Sequence, residues 1–266
     1  MSTAKSTRVK TSTWSSQAAA RLLRMVPGAQ SIPEAIERIV DDALQGVATA
    51  PTNLEALCAK LGVEASESQE IVGLGLLTLE AGRFRIYYSD GLRKTRMRFT
   101  IAHEIGHLLM LRSGKWAPTS GRELERICDL FASEILMPTK VFREQAASVD
   151  SLQGILRLSS VFQASLSSTA IRFGSLRKAV LFHVDNNHVK WSSGFIRSGH
   201  TDELPESLKR VISEAPAQGT LPSRIFVTVR DEIRHYEVES MRLGGDFQAL
   251  YFLRRLALPA REAAAG

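Results

Sequence analysis

Only two cysteines, Cys58 and Cys128, occur in 266 residues. They fall in separate segments of helical patterning, which excludes a disulfide framework, favours a reducing compartment and makes each a small buried hydrophobe. Also missing is any uninterrupted apolar run of the roughly 18 residues that a membrane-spanning helix needs. The longest run, around Ile71 to Leu79, contains Gly73 and Gly75. The expectation is a soluble, cytoplasmic protein with no membrane partner. No acidic residue precedes Glu34, whereas Lys5, Arg8, Lys10, Arg21 and Arg24 do, so most of the formal net charge of +6 sits in a Ser/Thr-rich leader. Residues 1–30 are predicted to stay unfolded and solvated. The leader lacks the apolar stretch of a secretory signal, and its compositional overlap with organelle transit peptides is read as incidental. Beyond it the charges nearly balance, which argues against a partner held by bulk electrostatics such as DNA. Internal repeats are absent as well.

What is present is the balance of an ordinary globular protein, 44% apolar and 23% charged, with chain enough for one domain and a smaller companion. Ser31 and Pro33 open a helix in which Ile36, Ile39, Val40, Ala43 and Leu44 recur at helical spacing. Asn53 caps a short helix carrying Leu54, Leu57, Cys58 and Leu61, and Gly62 stops it. From Leu76 to Tyr88 the alternation predicts a hairpin. The spacing then predicts a helix from about Phe99 to Arg112, ended by Gly114 and Pro118, and another from about Arg122 to Leu136, stopped by Pro138. Residues 152–173 read as two short helices. After Ala179 strand signals dominate: a hairpin turning at Asp185, Asn186 and Asn187, a strand RIFVTV, a helix from about Leu204 to Glu214, and FQALYFLRRL as strand or helix. The fold class is therefore α+β: a mostly helical domain with a small sheet over residues 31–150, a helix-turn-helix-like segment over 151–175 and a smaller α+β region over 176–266.

His103, Glu104 and His107 form H-E-x-x-H on the first long helix. Positions four apart share a helix face, so both imidazoles can reach one ion with Glu104 beside it. The three residues interrupt the apolar run RFTIAHEIGHLLM, where unpaired polar groups would be costly. Gly106 in mid-helix sacrifices about 1 kcal/mol relative to alanine, which is explained if something approaches closely there. A catalytic zinc needs a third protein ligand. Glu123, Glu125 and Glu134 compete for the part. Glu125 is selected because Asp129, four residues on, can accept the free N–H of His103 or His107 and fix its tautomer. Cys128 is a conceivable soft ligand, but its place between the two carboxylates reads as packing. The arrangement is that of gluzincins: zinc as Lewis acid toward a scissile carbonyl, Glu104 as general base toward water. Manganese suits the same donors. For the oxyanion donor Tyr87, Tyr88, His188 and His200 are open candidates by side-chain type alone.

Through RFTIAHEIGHLLM and ELERICDLFASEILMP, the chain resembles the ImmA/IrrE family of metallopeptidases. NLEALCAKLGVE and the strands before the metal helix are similar to that family's lead-in, and the likeness covers about residues 30–175. The resemblance implies a zincin-like metallopeptidase domain, with His103, His107 and Glu125 at the metal positions and Glu104 as the catalytic glutamate. It also implies a cytosolic zinc endopeptidase whose substrate is a helix-turn-helix repressor, cut to relieve repression in a stress or mobile-element response. Ile127 and Cys128 stand where the family commonly has Glu and Ala. Some members carry a sensory, GAF-like module after the helical part, and residues 176–258 are read that way by analogy.

Two other readings compete. One is a DNA-binding transcriptional regulator with a structural or vestigial metal site, in which helices at 53–64 or 152–173 contact DNA; Lys60, Arg157 and Arg172 are few cations for that task. The other is a metal-dependent hydrolase of something other than protein.

Overall fold

The structure is a computed structural model that describes residues 14, 16–111, 121–177, 179–196, 198–214, 223–229, 232–243 and 248–256. Contacts divide the chain into two compact units, Met1–Pro138 and Thr139–Gly266. Residues 1–13 of the leader lie outside the described part, but the expectation of an unfolded stretch through residue 30 is corrected from Ser16 onward. Ser16 accepts from the amide of Ala19 and caps helix α1, Gln17–Met25, whose Ala18, Ala19 and Leu22 are buried. The basic composition hid this helix because Arg21 and Arg24 flank its one apolar stripe.

Ser31 caps α2, Ile32–Leu44, while the carboxylate of Glu34 accepts the amide of Gln30, the residue before the cap, at 2.7 Å. Asn53 caps α3, Leu54–Lys60, and Gly62 ends it at φ +60. Lys60 donates to the carbonyls of Asp42 and Gln45, so its charge serves the C-terminus of α2. A three-stranded sheet follows: β1 (Glu64–Ser68), β2 (Gly75–Glu80) and β3 (Arg83–Ser89), in the order β1-β3-β2. The hairpin β2–β3 is antiparallel and β1 runs parallel to β3, leaving β2 on an edge.

Helix α4 runs from Lys94 to Leu111, beginning five residues before the periodicity predicts. Its first turn is cationic, unfavourable for the helix dipole and opaque to pattern reading. Burial compensates: Arg98, 8% exposed, donates to the carbonyl of Thr52 at 2.9 Å, and the Thr52 hydroxyl donates to the carbonyl of Ile135 at 2.6 Å. Desolvation lowers the Arg98 pKa. That chain of bonds fastens α4 to α5, Arg122–Leu136, whose Ile127, Phe131, Ala132 and Ile135 are fully buried.

In the second unit come α6 (Thr139–Gln145), α7 (Leu152–Phe162) and α8 (Leu166–Arg177). They are followed by β4 (Val180–Asp185), β5 (His188–Ser192), β6 (Gly199–His200), α9 (Glu206–Glu214), β7 (Ser223–Val229), β8 (Glu232–Arg242) and β9 (Gln248–Arg255). The six strands form one antiparallel sheet in the order β6-β5-β4-β9-β8-β7. The hairpin β4–β5 turns on Asn186 and Asn187, both at positive φ, which asparagine tolerates. FQALYFLRRL resolves as strand because β9 lies between β4 and β8 with Leu250 to Leu253 all buried, a two-sided burial that erases alternation. Phe182 stacks on Tyr251 at 4.7 Å in the core that Leu208 and Val211 of α9 complete.

If α1 packs as described, Leu22→Ala in the full chain lowers stability by about 2–5 kcal/mol in urea unfolding. An unchanged midpoint would mean that the segment is unfolded after all.

Candidate metal centre

Helix periodicity places His103, Glu104 and His107 where α4 meets both α5 and the sheet. Gly106 explains how close that meeting is. A Cβ added there would stand 2.9 Å from the Cβ of Phe131 and 3.2 Å from the Cα of Cys128. The close approach expected at Gly106 is therefore that of the α5 backbone.

Across this contact Glu125 and Asp129 come to the two histidines. His103 Nδ1 lies 3.0 Å from Asp129 Oδ1, and its Nε2 lies 3.2 Å from Glu125 Oε2. His107 Nε2 is 3.2 Å from His103 Nε2 and 3.7 Å from Glu125 Oε1. Burial pushes the His103 pKa down, but its hydrogen bond to Asp129 and the charges of Asp129, Glu104 and Glu125 outweigh that and raise it. His107 is lowered, by burial and then by His103.

These distances fit one shared ion. Ligands about 2.0–2.1 Å from a tetrahedral zinc stand roughly 3.3 Å from each other. The chemistry of the donors points the same way. With its Nδ1 proton directed to Asp129, a neutral His103 offers only a lone pair at Nε2. That lone pair, the Nε2 of His107 and the Glu125 carboxylate then converge as electron-rich atoms that a cation between them would reconcile.

The competing carboxylates are occupied elsewhere: Glu123 accepts the amide of Ser16 at 2.6 Å, and Glu134 is buried and engaged. Cys128 is fully buried, and its sulfur lies with one nitrogen of each histidine in a group of atoms all within 4.8 Å. The oxygens of Glu125 lie 3.2 and 3.7 Å from the histidine nitrogens, near the separations a shared ion requires.

Glu104 is 8% exposed and faces the sheet, where the backbone of Leu77 hydrogen-bonds to it. Burial raises its pKa, Glu125 adds to the rise, and His103 and the Leu77 amide oppose it. A Cβ on Gly75 would stand 2.8 Å from Glu104 Oε1 and 2.5 Å from Thr100 Cγ2, so the strand must begin with glycine for the carboxylate to reach it. Sequence reasoning missed Gly75 and Leu77; an isolated glycine in a strand pattern was the available signal. Of the oxyanion candidates, Tyr87 donates to Glu80 at 3.1 Å, while His188 and His200 face each other across β5–β6 in the second unit, 4.8 Å between rings.

Residues 60–173 match the family model described as the IrrE N-terminal-like domain of peptidase M78. That matched segment is similar to the peptidase M78 domain, consistent with the ImmA/IrrE resemblance. The match runs from the last residue of α3 into α8 and contains every residue of the centre. Among solved structures, a Mycobacterium tuberculosis transcriptional regulator is similar with TM-score 0.56 and 12% identity, over 94% of this chain and 85% of that one. That likeness concerns the fold. A comparison with curated proteins gave no match. An M78 domain supports a metallopeptidase-like function. Among the described residues no helix is long and apolar enough to cross a membrane.

Gly106→Ala tests the helix contact. Helix propensity alone predicts a gain of about 1 kcal/mol. The contact with Phe131 and Cys128 predicts instead a net loss of roughly 1–3 kcal/mol in chemical denaturation. A stabilised variant would show that α4 and α5 separate freely.

Proposed function

We propose that this protein is a zinc-dependent endopeptidase in which His103, His107 and Glu125 hold the ion, Asp129 orients His103 and Glu104 is the general base. The observation that carries this reading is the convergence of two Nε2 atoms and one carboxylate at 3.2–3.7 Å, with Asp129 behind His103. Zinc bound there supplies Lewis acidity toward a scissile carbonyl and toward water. Glu104 takes the proton from water at its carboxylate and returns it to the leaving amine nitrogen.

A peptide substrate is favoured over a small molecule by what flanks Glu104. Strand β2 lies on a sheet edge, so its outer backbone groups are available to an extended chain. Leu74, Leu76 and Leu79 are exposed on or next to it, apolar surface that would otherwise meet water. A helix-turn-helix repressor as substrate, and action in the cytoplasm during a stress or mobile-element response, follow from the family resemblance. The mycobacterial neighbour, described as a transcriptional regulator, is compatible with that setting. We further assign residues 31–150 to the peptidase domain, 151–175 to a helical extension and 176–266 to a sensory region. A cavity of about 520 Å³ lined by Val180, Phe195, Arg234, Tyr236 and Arg255 supports the last assignment. Direct DNA binding is disfavoured because Lys60 caps α2 and Arg172 donates to the Thr139 hydroxyl at 2.8 Å.

Purified wild type is expected to hold near-stoichiometric zinc and to cut a repressor encoded nearby in a chelator-sensitive manner. His103→Ala and Glu125→Ala lose the metal. Glu104→Gln keeps it and loses cleavage by about 10²–10⁴-fold. Metal-free wild type, or cleavage indifferent to chelator, defeats the reading.

A further inference from the structure

The zinc reading leaves one donor without a part. Cys128 sits on α5 three residues after Glu125, on the same face and one turn deeper. Glu125 has 55% of its side chain exposed, whereas Cys128 is wholly buried. Its backbone is pressed against Gly106, whose missing Cβ would stand 3.2 Å from Cys128 Cα and 3.3 Å from its carbonyl oxygen. Gly106 lies between His103 and His107 along α4, and the Cys128 sulfur accordingly joins one nitrogen of each within 4.8 Å.

Resting on that zinc reading, we propose that Cys128 is a fourth protein ligand of the ion, so that the resting centre is His103, His107, Glu125 and Cys128. Sulfur and nitrogen on one tetrahedral zinc stand about 3.6 Å apart, from bonds of about 2.3 and 2.0–2.1 Å. From within 4.8 Å of a nitrogen on each histidine, the sulfur has roughly 1 Å to close to share their ion. Thiolate is a softer ligand than carboxylate and suits zinc. The ion deprotonates the thiol outright, releasing the proton to solvent, so no oxidant or reductant is required. Four protein ligands are the mark of a closed zinc site, so each turnover of the proposed peptidase would require one of them to give way to water or substrate. Exposed Glu125 and buried Cys128 are the two that lie at different depths of the same helix face.

Cobalt substitution of the full chain tests this. Wild type and Cys58→Ala, whose cysteine lies on α3 outside the centre, should show a thiolate-to-cobalt charge-transfer band in the near ultraviolet. Cys128→Ala should bind cobalt, as its visible ligand-field bands report, with the charge-transfer band gone. Zinc-edge X-ray absorption of the wild type should find one sulfur at about 2.3 Å, which needs no substitution and is immune to a misfolded variant. Cobalt bound by wild type with no sulfur signal overturns the proposal and leaves the three-ligand reading intact. A band that persists in Cys128→Ala overturns it too. Failure of wild type to bind cobalt or zinc at all removes both.

Discussion

At Gly106 the chain omits a methyl group so that α5 can lie directly on α4, and the chemistry of the centre depends on that omission. Side chains on facing helices meet at one point only if the backbones approach closely enough for short donors to converge. Here Phe131 and Cys128 fill the space a Cβ would take, and Glu125 and Asp129 on the flanking turns are brought to His103 and His107. The Arg98–Thr52–Ile135 chain of hydrogen bonds joins the same two helices again near the start of α4, so their spacing is set at two places. A glycine that weakens one helix thereby positions donors on two.

The second constraint is electrostatic. Two imidazoles, three carboxylates and a thiol are gathered where His103 and His107 are largely shielded from water, and groups of one sign so close together oppose each other. Burial first, and then such crowding, drives His107 toward the neutral form and Glu104 toward the protonated one. In an ordinary core this would be poor design, since polar groups without compensation destabilise the fold. Its persistence beside apolar Ile101, Ile105, Leu108 and Leu109 is the physical argument that something cationic belongs there.

The juxtaposition of His103, His107, Glu125 and Asp129 was legible because helix periodicity alone puts positions i and i+4 on one face. The same periodicity located α2, α3 and α5, each with its cap or breaker. What escaped was structure whose signal is tertiary. The basic first turn of α4 depends on burial of Arg98, and α1 depends on a three-residue apolar stripe inside a basic leader. Strand β1, EASES, has too little apolar patterning to be read without its partner β3. Gly75 and Leu77 escaped for a similar reason: their tie to Glu104 joins strand to helix across the fold, and local spacing carries no trace of it.

The helix pair α7–α8 shows why a pattern that resembles a DNA reader need not be one. Although Val161 and Ile171 are exposed, its buried apolar positions meet the sheet of its own unit: Phe173 meets Phe252 edge to face at 6.1 Å, and the amide of Leu152 is held by the Glu239 carboxylate at 2.7 Å. Arg172 is committed to Thr139 at the start of α6. A recognition helix must offer an exposed cationic face to phosphates and base edges. Here one of the two arginines singled out on this pair binds a neighbouring hydroxyl, and the buried faces carry the packing of the sheet. The family match extends to residue 173, across the boundary between the two units, so the helices that support this sheet are part of the peptidase family's own sequence pattern. Their first duty is therefore structural, and what distinguishes the chain chemically is concentrated between α4, α5 and the edge of β2.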